Sequence, residues 1–314
     1  MFRVKVVDLG SPSYFVLTAA VELGFFEEEG IPAGRVEGSM TGPDEIKEGS
    51  LDFLGGPAYA GLRAFPAFDG AKLLCALSQY SYWFLGVRAD LDIRRGDVGA
   101  LRGLRISSGS GEPRRSLLHL LQQSGIDVEG GEVRIVNSPS FGRNQTFRAN
   151  DGIVALQQDV SDAFWGNGLR MEMGVRSGLA KVHVDLRRGD GPPDARRYNF
   201  PALLASDRLI GQKPEIAAAA VRAIVKTQQA LIANPSLAGK VGRKVFPPEE
   251  AELIATVVEH DTPFYDAQIS QQAAEGLNRF CVAVGLLSEP VPYARMVATQ
   301  FAPLWNSKAP AARR

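Results

Sequence analysis

Residues 2–31 read FRVKVVDLGSPSYFVLTAAVELGFFEEEGI. Phe2, Val4 and Val6, extended to Leu9, alternate with Arg3 and Lys5, which is the period of a strand. Gly10-Ser11-Pro12-Ser13 is a turn, and Ser11 or Ser13 is placed to cap a helix with Pro12 near its first turn. Phe15, Ala19, Leu23 and Phe26 share one side of that helix, and Gly30 ends it. A parallel strand that feeds a helix through a short loop leaves bare N–H groups, and the positive end of the helix dipole, at the strand's carboxyl end. That corner suits a polar or anionic ligand, and the rest of the chain is expected to build a cleft around it.

Moving outward, residues 33–38 read as a second strand. Gly42-Pro43 then starts a short helix, and Gly55-Gly56-Pro57 forms a sharp loop before a helix through AYAGLRAF. Residues 71–80 read as a strand and 81–90 as a second extended piece. The repeated strand–helix pattern is that of a parallel α/β sheet. After a polar connection at 90–103 the pattern restarts. Strand LRIS runs into Ser108-Gly109-Ser110-Gly111, and Pro113 opens a helix buried through Leu117, Leu118 and Leu121, with His119 on its outer face. Strands follow at 131–140, before Trp165 and at 179–189, with a short helix at 141–151, a second helix starting at Gly152 and a third over NGLRMEMGVRSG. Beyond the loop 190–197, residues 198–206 run extended, and long helices at 214–235, 247–260 and 266–285 fill the last third. The tail SKAPAARR is expected to be disordered.

The chain has 314 residues, enough for two domains. Lys and Arg total 35 and Asp and Glu total 35, so no basic excess exists to neutralise phosphates, and nucleic acid is not an expected partner. The arginine pairs at 94–95, 114–115, 187–188 and 196–197 read as solvated surface. Cys75 in KLLCAL and Cys281 on an apolar helix face read as packed thiols. No signal segment is visible at the N-terminus, and no run of 18 apolar residues predicts a membrane span. The expected location is therefore periplasmic if Met1 precedes a mature N-terminus, and cytoplasmic if the sequence is full length.

Little in the chain demands covalent chemistry. His119, His183 and His260 are far apart, with no His or Cys at ligand spacing, so no metal is expected. Gly109-Ser110-Gly111 lacks the nucleophile-elbow pattern, and serines with no placed histidine are better read as caps or ligand donors. Ser107–Gly111 lies between a strand and a helix, but Glu112-Pro113-Arg114 departs from Gly-x-Gly-x-x-Gly, and no dinucleotide or other cofactor is implied. Glu27-Glu28-Glu29 reads as a solvated face. Asp162, read as following a strand beside Phe164-Trp165, is the one acid placed to meet a ligand. Tyr14, Tyr59, Tyr80, Tyr82, Trp83, Phe141, Phe164, Trp165 and Tyr198 divide between core packing and the wall of a cleft.

Four stretches carry a resemblance. SPSYFVLTAAVELGFFEEEGIP, GSLDFLGGPAYAGLRA, DVGALRGLRISSGSGEPRRSLLHLLQQSGID and VSDAFWGN resemble, in the right order over the first 170 or so residues, elements of the NMT1/THI5-like (SsuA/TauA-type) solute-binding proteins of ABC transporters. The resemblance implies the type II periplasmic-binding-protein fold, in which two α/β lobes joined by two crossover strands hold a ligand in an interlobe cleft. Here the crossings fall near Gly86–Asp90 and Tyr198–Ala205. Residues 1–88 plus 200–314 then form one lobe, and 89–199 the other.

The implied role is capture of a small organic molecule, such as a sulfonate, an aromatic carboxylate or a pyrimidine-like compound. An ABC permease and ATPase would be the partners. The ligand's head would meet Ser11, Ser13, Thr41, Ser108, Ser110 and Ser140, with the backbone of Gly56 alongside. Its body would lie among Tyr14, Tyr59, Tyr80, Phe141, Trp165 and Tyr198, with Arg143 or Asp162 as charge partners. The same group includes cytoplasmic enzymes, which gives the alternative of a lyase, decarboxylase or desulfinase acting on an aromatic acid. The desulfinase pattern has a Cys in the loop after the first strand, where this chain has Ser11 and Ser13. Ser11, Ser13, Tyr14, Asp162 and Tyr198 are the candidate nucleophiles or proton donors for that alternative.

Overall fold

A computed structural model describes residues 1–7, 11–36, 42–137 and 151–306. The expected short helix at 141–151 and the tail lie almost wholly outside these residues, as does Leu9. The chain forms two compact units. The first is Met1–Gln79 together with the chain from Asn199 onward, and the second is Tyr80–Tyr198.

Each unit is built on a five-stranded sheet. In unit 1 the strands are β1 (Phe2–Val6), β2 (Ala33–Arg35), β3 (Phe53–Pro57), β4 (Ala71–Ala76) and β10 (Pro201–Ser206), in the order β2-β1-β3-β10-β4. In unit 2 they are β5 (Phe84–Arg88), β6 (Arg105–Ser107), β7 (Arg134–Val136), β8 (Ala163–Gly166) and β9 (Ala180–Asp185), in the order β7-β6-β8-β5-β9. The two sheets share one plan. β10 is antiparallel to both its neighbours, β3 and β4, as β5 is to β8 and β9. The sheets are therefore mixed, not wholly parallel as the strand–helix alternation suggested. The antiparallel member of each sheet is the first strand the chain makes after passing from one unit to the other. The boundary expected after residue 88 falls past β5, which hydrogen-bonds only within the second sheet, so the first passage is at Gln79–Tyr80.

The opening helix is divided. A 3₁₀ turn spans Pro12–Tyr14, α1 spans Phe15–Glu22, and α2 spans Phe25–Glu28. Gly24, at φ 81°, separates the last two, because only glycine takes that left-handed conformation without strain. Phe26 still reaches the core at 1% exposure, its ring centroid 6.2 Å from that of Phe53 on β3. AYAGLRAF forms only a 3₁₀ turn at Ala60–Arg63. Gly61 lies against Leu204, and Pro66 disfavours helical backbone at Phe65, so a longer helix does not propagate.

The remaining helices follow their signals more closely. α3 (Gly42–Glu48) carries Glu45, whose carboxylate holds the buried Lys5 of β1 at 2.6 Å. α4 (Glu112–Gln123), α5 (Asp151–Gln157) and α6 (Gly168–Arg176) belong to unit 2. Unit 1 ends with α7 (Asp207–Gln212), α8 (Pro214–Ala233), α9 (Leu237–Val245), α10 (Pro248–Asp261), α11 (Gln271–Ala283) and α12 (Tyr293–Met296). Neither α7 nor α9 stood out in the sequence. Ser206 caps α7 and Ser270 caps α11, each hydroxyl accepting a backbone N–H of the first turn.

α8 is long and apolar enough to cross a membrane by length and composition, yet 56% of its apolar window is buried inside the unit. Ala217, Ala220, Val221, Ile224 and Leu231 face the core, while Ile232 is exposed. Gln228 closes β4 by donating to the carbonyls of Ala76 and Leu77. Arg222 and Lys226 pair with Glu29, tying α8 to the end of α2. Glu29 is thus a partly buried anchor, whereas Glu27 and Glu28 are exposed as the solvated-face reading expects.

Candidate functional site

In unit 1, β1 and β3 are parallel, so their carboxyl ends share one edge of the sheet. Val6 pairs with Gly55, and the N–H of Val7 donates to the Gly55 carbonyl. The glycines decide how close the next layer comes. A Cβ on Gly55 would lie 2.6 Å from Leu17 of α1, and one on Gly56 2.9 Å from Val7. Without a Cβ on Gly55, α1 lies directly on the strand ends, and Ser11, Ser13 and Tyr14 precede it there. All three are buried, and Ser11 is 3% exposed. Ser11 stands at the N-cap position of the 3₁₀ turn, but its side chain does not cap it. Its Oγ has no hydrogen-bond partner among the described residues. Ordinarily a buried hydroxyl is satisfied, and leaving one unpaired costs about 1–3 kcal/mol. Tyr59 follows β3 at the same edge, its ring centroid 6.0 Å from that of Phe280. Gly56 is present there as backbone only, paired with Ala202.

In unit 2, the corresponding edge holds the ends of β6 and β8 and, because it runs the other way, the start of β5. Ser107 and Ser108 are buried, and the Ser108 hydroxyl donates to the Gly109 carbonyl at 3.1 Å. Ser110 is exposed. Gly111, at φ 68°, precedes α4 without a side-chain cap. Arg114 of α4 donates to Asn137 after β7, fixing the loop ends. Trp165 on β8 is 3% exposed and stacks on Trp83, with centroids 5.9 Å apart and planes at 16°. Asn167 follows β8 and caps α6 through the Arg170 N–H. Tyr80 lies under the Arg196 guanidinium, 3.8 Å from its ring centroid. Tyr198 is buried, its ring 4.7 Å from that of His119.

Of the expected site residues, Ser11, Ser13, Tyr14, Gly56 and Tyr59 therefore share the carboxyl edge of one sheet. Tyr80, Ser108 and Trp165 share that of the other. Asp162 does not join them. It precedes β8 instead of following a strand, which puts it at the opposite, amino edge. Both its oxygens are taken by Arg105, at 3.0 and 2.7 Å, and the Arg105 backbone N–H donates to it as well. Those hydrogen bonds hold the Asp162 carboxyl below its ordinary pKa against the opposing effect of burial. Thr41, Ser140, Phe141 and Arg143 lie outside the described residues.

Sequence reading missed several residues at the second edge. Arg187 was expected on the surface but is 4% exposed, 3.5 Å from Asp185 and over the Phe84 ring. Ser81 is fully buried. A usable signal was the position of Ser81-Tyr82-Trp83 at the start of β5, once that strand's direction is known. His119, expected on the outer face of α4, is also buried, because the chain around Tyr198 packs on that face. Burial lowers its pKa, and that of His183, whose Nε2 lies 2.9 Å from the Asp97 carbonyl. Among the described residues no cluster of three or more His, Cys, Asp or Glu could hold a metal ion. Cys75 and Cys281 are buried free thiols. Burial pushes both pKa values up, that of Cys281 to about 12.

No family model and no curated protein matches the chain. Solved structures do. The periplasmic aliphatic sulphonate binding protein SsuA from Escherichia coli aligns with a TM-score of 0.65 at 15% identity, covering 100% of this chain and 94% of that one. The alkanesulfonate-binding protein SsuA from Xanthomonas axonopodis pv. citri, bound to MOPS, aligns at 0.64 and 17% identity, covering 96% of each chain. The desulfurization enzyme DszB, a mutant of which is in complex with biphenyl-2-sulfinic acid, aligns at 0.65 and 17% identity, covering 96% and 98%. These likenesses are of fold, and the fold is that of the type II periplasmic binding proteins.

Proposed function

We infer that this protein is a solute-binding protein that captures a small organic ligand for ABC-type import, working with a permease and an ATPase. The ligand class is a sulfonate, an aromatic carboxylate or a pyrimidine-like compound. The single observation that carries the reading is the Ser11 hydroxyl, buried at the carboxyl edge of the first sheet with no partner among the described residues. A ligand acceptor at that corner offsets the cost of burying it. Ser13, Tyr14, Tyr59 and the backbone of Gly56 are the proposed companions in that corner. Ser108, Trp165 and Tyr80 are the proposed contacts in the other unit's corner. The binding proteins among the similar structures support the reading.

The test is a thermal-shift and calorimetry screen of sulfonates, aromatic carboxylates and pyrimidines. A ligand at 100 times its Kd adds about 2.7 kcal/mol to stability, which a melting curve resolves. Ser11→Ala is expected to weaken the hit by about 10-fold, the worth of one hydrogen bond to a charged group. If nothing stabilises the protein, or if Ser11→Ala binds as well as the parent, the assignment fails.

The likeness to DszB favours a second reading, an enzyme acting on an aromatic sulfinate or carboxylate. Ser11 stands in the loop where the desulfinase pattern carries cysteine. Turnover of any bound acid supports this reading. Binding without turnover, with permease and ATPase genes adjacent, supports transport.

A further inference from the structure

The second unit holds a set of buried donors that its own fold leaves unused. Residues 80–83 enter β5 at the carboxyl edge of the sheet. Ser81 is 0% exposed, and its hydroxyl has no partner among the described residues. Trp83 and Trp165 are 8% and 3% exposed and stacked, and neither indole N–H has an acceptor among the described residues. The Nε of Arg196 is in the same state, and the Arg196 carbonyl takes the Ser81 backbone N–H at 2.8 Å. Beside them Tyr80 is held at φ 66°, a conformation that residues with side chains rarely adopt and that clusters at binding sites.

Unit 1 supplies a control within the same chain. Trp305 is also buried, at 6%, and its indole N–H donates to the Leu74 carbonyl at 2.9 Å. Where an indole serves packing alone, the fold satisfies it, as is usual for buried tryptophan. Unpaired serine hydroxyls also occur elsewhere in unit 2, at Ser116 and Ser161, and so does an arginine Nε, at Arg114, so the indoles carry the argument and Ser81 and Arg196 join it by position. All these groups donate, while the carboxylates at the end of β9, Asp185 and Asp190, are already faced by Arg187 and Arg188 and by Arg95. What such an edge lacks is a group of acceptors with negative charge. The surrounding surface is aromatic, from Tyr80, Tyr82 and the tryptophan pair.

Resting on the solute-binding reading, we propose that the Trp83–Trp165 stack, with Ser81 and Arg196, is a selecting subsite for an aromatic oxyanion. The class is an aryl sulfonate or aryl carboxylate. Its oxygens take the indole N–H groups and the hydroxyl, Arg196 supplies the countercharge, and its ring lies against the aromatic side chains. Charge-assisted hydrogen bonds of this kind are the strong ones, and a neutral isostere forfeits them.

The test uses a Trp305→Phe variant, checked for fold by circular dichroism, in which all indole emission comes from the stacked pair. The probes are p-toluenesulfonate and benzoate, with p-toluenesulfonamide as the neutral analogue and methanesulfonate as the analogue without a ring. Saturable change of the emission by one or both aromatic anions is expected, at the Kd that calorimetry gives for the unaltered protein. Which anion binds tighter separates sulfonate from carboxylate. The sulfonamide and methanesulfonate are expected to bind about 10-fold or more weakly. Ser81→Ala, which removes one unpaired hydroxyl and little volume, is expected to weaken the anion about 10-fold while melting no lower without ligand. Trp83→Phe is expected to weaken it similarly. If an aromatic anion binds by calorimetry but leaves the emission unchanged, or if Ser81→Ala and Trp83→Phe bind as the parent does, the subsite is refuted and the solute-binding reading stands. If no member of the wider screen binds, both fall.

Discussion

Gly55 sets how closely α1 approaches the sheet of unit 1, and Gly55→Ala measures that closeness. An added Cβ would stand 2.6 Å from Cδ2 of Leu17, 3.2 Å from Cδ1 of Leu77 and 3.4 Å from Cγ1 of Val6. The first distance is below any real contact. The clashing atom is the end of a flexible side chain, which could swing away, but Leu17 and Leu77 are both 0% exposed and have nowhere to go. Overpacking of this kind costs about 1–3 kcal/mol. For a body of 150–250 residues, each kcal/mol is worth about 2–4 °C in Tm. Gly55→Ala is therefore expected to melt about 2–12 °C below the parent. Leu17→Ala alone leaves a cavity costing about 2–5 kcal/mol. It also removes the clashing methyl, so the double variant is expected to lose about 1–2 kcal/mol less than the two single losses added together. The assay is scanning calorimetry of the four proteins, backed by urea titration. A Gly55→Ala protein that melts with the parent, or single losses that simply add, refutes the close approach. The placement of Ser11 and Tyr14 at the strand ends would then need another cause.

Three further outcomes are expected. Asp162→Asn weakens the junction of β6 and β8 and lowers the melting temperature, but leaves ligand affinity unchanged by calorimetry; a loss of affinity would return Asp162 to the binding site. Burial alone would raise the Glu29 pKa, but hydrogen bonds from Lys226 and Arg222 outweigh it and hold the carboxyl below its ordinary value of 4.5. Its stabilising contribution is therefore complete above that value and is lost as pH falls through the lower, folded value, so Glu29→Gln flattens the acid limb of a Tm-against-pH curve. Cys75 and Cys281 are buried, with both thiols pushed up in pKa, so neither reacts with a charged thiol reagent at pH 8 until the protein is unfolded. Prompt labelling of the native protein would contradict their packing.

The strands and most helices were legible because their periods are local. Val4 and Phe53 are core residues whose alternation survives into the structure, and the apolar face of α8 from Ala217 to Leu231 follows its helical spacing. The direction of a strand is not local. Nothing in FLGVR or PALLAS distinguishes a strand that runs with its neighbours from one that runs against them, because both are buried on both faces and read as continuous apolar runs. The first unit boundary was misplaced for that reason, and Ser81, before β5, was not assigned to the ligand edge although Tyr80 was. Arg187 shows a second limit. Within LRRG it looks solvated, and only the Asp185 carboxylate and the Phe84 ring, both brought to it by the fold, make its burial tolerable.

The two edges of the second sheet make the clearest argument about where its ligand chemistry lies. At the amino edge the charges are spent on one another. Arg105 takes Asp162 and Asp159, and Arg88 takes Asp159 and Asp90. The charges are in balance there, although the buried Ser161 hydroxyl beside Asp162 has no partner among the described residues. At the carboxyl edge the same sheet buries two indole N–H groups and a serine hydroxyl without acceptors among the described residues. Each of these costs stability that a phenylalanine or an alanine would not. The contrast between the edges therefore rests on the two indole N–H groups, for which the paired edge has no counterpart among the described residues. Asp162, though acidic and close in sequence to Trp165, belongs to the paired edge, while Trp165 lies at the edge of the proposed subsite. The few residues of β8 that separate them span the sheet from the edge whose charges are paired to the edge where the oxyanion is proposed to bind.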